Sequence, residues 1–155
     1  ILRPFVIGDY IIENSGKQEG TVVKIDLFYT TLSTVDNRRI TVPNGALTNS
    51  SIVNVTAKDN RKLEIKVGIS YQADLKKAKK ILETLLHEDA SIMSDQEMQV
   101  FVDELAADSV ILGLRAWVKT EEYWATKWRL NEKIKLTFDE QGIEIPFPQL
   151  DVHIK

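Results

Sequence analysis

The sequence predicts an α+β chain in which a small β-barrel is followed by a split β-α-β layer and a short terminal strand. Three observations carry this reading. Gly, Asn, Asp and Pro cut the first third into short apolar runs, the period of the apolar residues changes near residues 58–62, and two later segments repeat apolar residues at helical spacing. A chain of 155 residues can bury roughly 70% of its unfolded surface, enough for a packed core in one domain or two small ones.

The first strand is expected at 10–13, after a turn at Gly8 and Asp9, and residues 14–16 break it. In the next run, Val22, Lys24 and Asp26 alternate with Val23, Ile25 and Leu27, which predicts one wet and one buried face. Strands at 30–35 and 39–42 flank Asp36 and Asn37, a pair that tolerates the backbone of a tight hairpin. Pro43, Asn44 and Gly45 then turn the chain, with Gly45 expected to need positive φ. Residues 46–49 could make one helical turn before a strand at 52–56. Five strands this short favour closure into a small barrel, which hides their edges.

Past residue 61 the elements lengthen. A strand at 63–71 leads to Asp74, a helix cap, and a helix to about His87. Its Leu75, Ala78, Ile81, Leu82, Leu85 and Leu86 lie within an arc of about 140°. Strands at 98–105 and 110–118 precede a helix over 121–141, with Tyr123, Leu130, Ile134 and Phe138 on one face and Gly142 as its C-terminal cap. A last strand at 143–145 would complete a ferredoxin-like layer. Pro146 and Pro148 bar a helix, and 151–155 returns to an alternating extended pattern that needs a partner strand, most simply from another subunit.

Composition narrows function by exclusion. A net charge of −3 gives no general attraction to nucleic acid or anionic lipid, and the lack of cysteine removes disulfides and thiolate chemistry. No run approaches the roughly 20 apolar residues of a membrane span, so the chain by itself is expected to be soluble; its start at Ile1 suggests a piece of a longer protein.

Each candidate site has a plainer structural reading. Lys76, Lys77, Lys79 and Lys80 fall mainly on the wet side of a helix, and Arg38 and Arg39 follow a hairpin without interleaved stacking aromatics. Phe28 and Tyr29 read as packing residues. His87, Glu88 and Asp89 splay around a helix end instead of converging on a metal. Asp103, Glu104 and Asp108 lack a nucleophile or substrate frame, and Asn49 and Asn54 head glycosylation tripeptides that read as ordinary polar residues. Trp117, Trp124 and Trp128 suggest packing between layers. The expectation is therefore no catalytic, cofactor-binding or metal residue, no cofactor, and no enzyme.

Taken in order, LRPFVIGDYI, EGTV, DNRRITVPNGALTNSSIVN, VFVDELAADSVILGLRAWVK and GIEIPFPQLDVHIK resemble the cytosolic region of the small-conductance mechanosensitive channel (MscS-like) family. The resemblance implies residues 1–60 as an Sm-like β domain with the exit of a pore helix at 2–5, 61–146 as an α/β domain, and 147–155 as a linker and a strand of an oligomeric barrel. It implies a homoheptamer, contact with the bilayer through helices absent from this sequence, and permeating ions and small solutes as the other partners. The implied location is the inner cell membrane, with this region facing the cytoplasm. The function implied is the vestibule of a tension-gated channel that releases solutes during osmotic downshock; an oligomeric Sm-like RNA-binding module is the alternative, although no specific nucleic acid is expected.

Overall fold

A computed structural model describes residues 4–14 and 17–155. The expected break at Ser15 and Gly16, and the start of the pore-helix exit at Leu2 and Arg3, lie outside the described residues. The chain divides into two compact units, Ile1–Asp59 and Asn60–Lys155.

The first unit is a five-stranded antiparallel sheet of β1 (Tyr10–Glu13), β2 (Glu19–Ile25), β3 (Tyr29–Ser33), β4 (Arg39–Pro43) and β5 (Ile52–Asn54), with α1 (Asn44–Thr48) between the last two strands. The strand order is β4-β3-β2-β1-β5, so the sheet is open and the expected Sm-like barrel is not formed. The physical reason lies at the two edges. β5 has three residues, Pro43 ends β4 without an N–H to donate, and α1 contributes Leu47 to the core in place of a closing strand. Phe5, Ile11, Val22, Leu32 and Val42 complete that core.

The alternation expected for β2 does not run through the strand. Val22 is buried and Val23 exposed, and a bulge between Val22 and Lys24 resets the phase so that Ile25 packs inward and Leu27 stands in solvent. The hairpin behaves as its residues suggest. Asn37 takes φ 64°, and its N–H donates to the Thr34 carbonyl at 2.9 Å. Gly45 differs from expectation: among the described residues the glycines with positive φ are Gly8 and Gly142, and Gly45 lies inside α1.

The second unit contains β6 (Asn60–Ile69), α2 (Leu75–Glu88), β7 (Gln99–Leu105), β8 (Val110–Lys119) and α3 (Tyr123–Gln141). β8 is central and antiparallel to both neighbours, so β6 and β7 run in one direction on either side of it. Asp74 caps α2, its carboxylate accepting from the Lys77 N–H at 3.1 Å, and Gly142 ends α3 at φ 76°. Leu63, Ile65, Leu112, Leu114 and Ala116 on the sheet meet Ala78, Leu82 and Leu86 of α2 and Leu130, Ile134 and Phe138 of α3 in one core. Each of the leucine, isoleucine and phenylalanine side chains contributes about 1.5–3 kcal/mol when fully buried, and the two alanines less.

The fourth strand of a ferredoxin-like layer is not made. Ile143 is buried and the Glu144 carbonyl accepts from the Ser70 N–H at 2.9 Å, but no ladder follows and Pro146 has no N–H to extend one. Residues 143–155 carry no regular structure in the single chain.

Candidate functional site

In the Pro43-Asn44-Gly45 connector the working residue is Asn44. Its backbone N–H donates to the Phe28 carbonyl at 2.8 Å, and its side-chain amide donates to the Asp26 and Leu27 carbonyls at 2.9 and 3.0 Å. Its Oδ1 accepts from the buried Thr30 hydroxyl at 2.7 Å. One side chain thus ties the start of α1 to the turn between β2 and β3. The turn is held rigid while Leu27 and Phe28 at its tip, and Tyr29 beside it, remain exposed. Phe28 and Tyr29 are therefore not core residues of this unit. Gly45 is the conspicuous residue of the connector for its backbone, but the amide beside it makes the contacts; an Asn between Pro and a short helix is the sequence signal for it.

A second cluster fixes the segment that leads into β1. Asp9 accepts from the Val6 N–H at 2.9 Å, the Asn54 amide at 3.0 Å and the Thr56 hydroxyl at 3.0 Å. Those donors, the Val6 N–H foremost, hold its carboxyl below the usual carboxylate range. Asn54 and Thr56 of the second glycosylation tripeptide are thereby engaged in the fold. In the first tripeptide, the Asn49 N–H donates to the Gly45 carbonyl, and the neighbouring Ser50 hydroxyl to that of Ala46 at 2.7 Å.

In the second unit the residues suspected of metal binding separate. His87 and Glu88 face solvent, whereas Asp89 is buried and takes Nε and an amino group of Arg129, each at 2.8 Å, together with the Ser91 N–H at 3.0 Å. The Arg129 hydrogen bonds hold the Asp89 carboxyl below its ordinary value. Among the described residues no group of three or more His, Cys, Asp or Glu converges as a metal site requires. Asp103 pairs with Lys66 at 3.3 Å on the sheet face away from the helices, where Arg115 meets Glu64 at 2.5 Å and lies over the Phe101 ring. Glu104 and Asp108 are not drawn into that network. This face is a strip of alternating charge whose acids and bases pair with one another.

The basic residues are dispersed. Lys77 reaches the Gln141 carbonyl at 2.8 Å, and Arg38 pairs with Asp36 at 2.9 Å. Trp124 and Trp128, expected between layers, are 52% and 65% exposed; their rings lie 6.0 Å apart along α3, with Lys127 over the Trp124 ring. Trp117 is partly covered beneath Lys62. Phe147, Leu150, Val152 and Ile154 are all highly exposed, Ile154 at 94%. What the chain presents is apolar surface at the β2–β3 tip, along α3 and on its terminal segment, the chemistry of association. No helix among the described residues is long and apolar enough to cross a membrane.

Comparison with known proteins gives this surface a context. The family description "Mechanosensitive ion channel, beta-domain" matches residues 1–57, and "Mechanosensitive ion channel MscS, C-terminal" matches residues 63–145. A small-conductance mechanosensitive channel of Edwardsiella ictaluri is 36% identical over 154 residues, covering 99% of this chain and 53% of that protein. The crystal structure of Helicobacter pylori MscS in its closed state is similar at TM-score 0.91 and 32% identity, covering 100% of this chain and 61% of that one. The cryo-EM structure of Arabidopsis thaliana MSL1 shares the fold at TM-score 0.73 and 19% identity, covering 94% of this chain and 54% of that one. The chain spans about half the length of the curated relatives it matches.

Proposed function

The chain belongs to the MscS family of mechanosensitive ion channels, and on that premise we propose that it forms the cytosolic vestibule of a longer, tension-gated channel. The family is one of channels and not a class of enzyme. The observation that carries the reading is the likeness of the whole chain, both units included, to the Helicobacter pylori channel. Segments preceding residue 1 in the parent supply the bilayer contact and the gate, since only elements inside the bilayer exchange work with its tension. The parent resides in the inner membrane with this region facing the cytoplasm, and ions and small solutes pass through its vestibule under size and charge constraints.

Seven copies assemble around one axis, and residues 147–155 provide the linker and the strand that joins them. The exposed alternation of Val152 and Ile154, which nothing in a single chain covers, supports this part. Copies in a closed ring are related by rotation, so their terminal strands run in the same direction and pair as a parallel barrel. Solute release tests the function: liposomes holding the parent and a self-quenching dye are diluted into dilute buffer. The reading expects dye efflux that grows with the size of the downshift and is missing from protein-free liposomes; equal efflux from both contradicts it.

A further inference from the structure

The segment leading into β1 is fastened far more heavily than a turn requires. The Val6 N–H bond to Asp9 and the Asp9 N–H bond to the Val6 carbonyl already close the turn locally. Beyond them, the Asn54 amide donates both to the Asp9 carboxylate and to the Pro4 carbonyl at 3.1 Å, so one side chain of β5 grips the lead-in at two points five residues apart. The Thr56 hydroxyl donates to the same carboxylate and accepts from the Tyr10 N–H at 3.1 Å. The Phe5 ring is sunk in the core of the unit, and Gly8 and Asp9 exchange backbone bonds with Val22 of β2 at 2.8 and 2.7 Å. The lead-in is thus locked to β2 and β5 together, by partners up to 50 residues away in sequence.

Resting on the channel reading above, we propose that Asp9 is a positioning residue for gating, which with Asn54 clamps the lead-in so that movement of the chain before Pro4 is resisted by the whole β unit. Asp9 is ionised at neutral pH, and its bonds to Asn54 and Thr56, both 3.0 Å, are charge-assisted, which makes them stronger than the same bonds to a neutral acceptor. The β unit lies outside the bilayer and feels tension only through its connection to the preceding segment. A stiff connection loads that segment against displacement; a loosened one lets it move with less work.

The variants Asp9→Asn, Asn54→Ala and their double are placed in the full-length parent, reconstituted, and patched under graded suction. Asp9→Asn turns an amide donor toward at least one of the three groups that now donate to the carboxylate. Each single change is expected to lower the midpoint tension with unitary conductance unchanged, and the double to lower it no further than the larger single effect, because both cut the same clamp. Leu32→Val, a core change in the same unit away from the clamp, separates lost stability from lost coupling and is expected to leave the midpoint in place. Gated wild-type currents with unmoved midpoints in the clamp variants, additive shifts, or an equal shift in Leu32→Val overturn the proposal alone. Wild-type currents indifferent to tension overturn the channel reading and the proposal with it.

Discussion

Gly20 and Gly45 make opposite demands on a Cβ. One built on Gly20 would sit 2.6 Å from the Ser33 carbonyl oxygen across the β2–β3 ladder, where only backbone could yield; one on Gly45 meets nothing within 4 Å. Gly20→Ala is expected to destabilise the chain by about 1–3 kcal/mol, while Gly45→Ala, in a helical turn, should stabilise it by up to about 1 kcal/mol. Urea unfolding midpoints read both, and a Gly45→Ala loss equal to that of Gly20→Ala contradicts the assignment. At Asp89, a carboxylate whose folded value is depressed contributes stability above its unfolded value near 3.8 and loses it as pH falls through the lower folded value. Arg129→Met leaves that buried carboxylate without its main partner, at a cost of about 2 kcal/mol at pH 7. The gap between wild type and variant should narrow as pH falls below 3.8 toward the lowered folded value, through which the paired Asp89 protonates; a gap independent of pH rules out the pairing as its cause.

At the scale of elements, the helices and the long strands were legible because burial on one face writes a period into the sequence: α2, α3 and β8 follow it, and Asp74 and Gly142 mark two of the helix ends. Closure of the first sheet was not legible. Whether two edge strands meet depends on a three-residue β5 and on α1, which local alternation does not encode. The β2 bulge escaped for the same reason, since one unpaired residue at Val23 shifts the phase without changing composition. The candidate site was half legible. The turn at Pro43, Asn44 and Gly45 marks the connector, but the Asn44 amide, the Asp9 clamp and the Asp89–Arg129 pair join residues up to 50 positions apart, a separation that side-chain chemistry alone does not reveal. The terminal segment gives an element-scale test. Residues 146–155 form no regular structure in the single chain, so truncation after Ile145, which keeps buried Ile143 and the Glu144 bond to Ser70, is expected to move the unfolding midpoint of the chain by no more than about 0.5 kcal/mol. A larger loss by thermal or urea denaturation assigns the tail a role within its own subunit.

For the molecule as a whole, the proposed assembly would set the exposed apolar groups at the β2–β3 tip, along α3 and through the tail against other copies of the chain. Native mass spectrometry of the full-length parent in detergent is expected to find seven subunits, and truncation after Ile145 is expected to weaken that assembly; a stable dimer or tetramer contradicts the sevenfold ring. The central claim is that the parent is a water-filled channel opened by membrane tension, to which this chain contributes the vestibule. Patch-clamp recording of the reconstituted wild-type parent under graded suction tests it most directly. The account predicts stepwise currents whose open probability rises with tension, and verified insertion and assembly without such currents, up to the tension at which the patch ruptures, would contradict it.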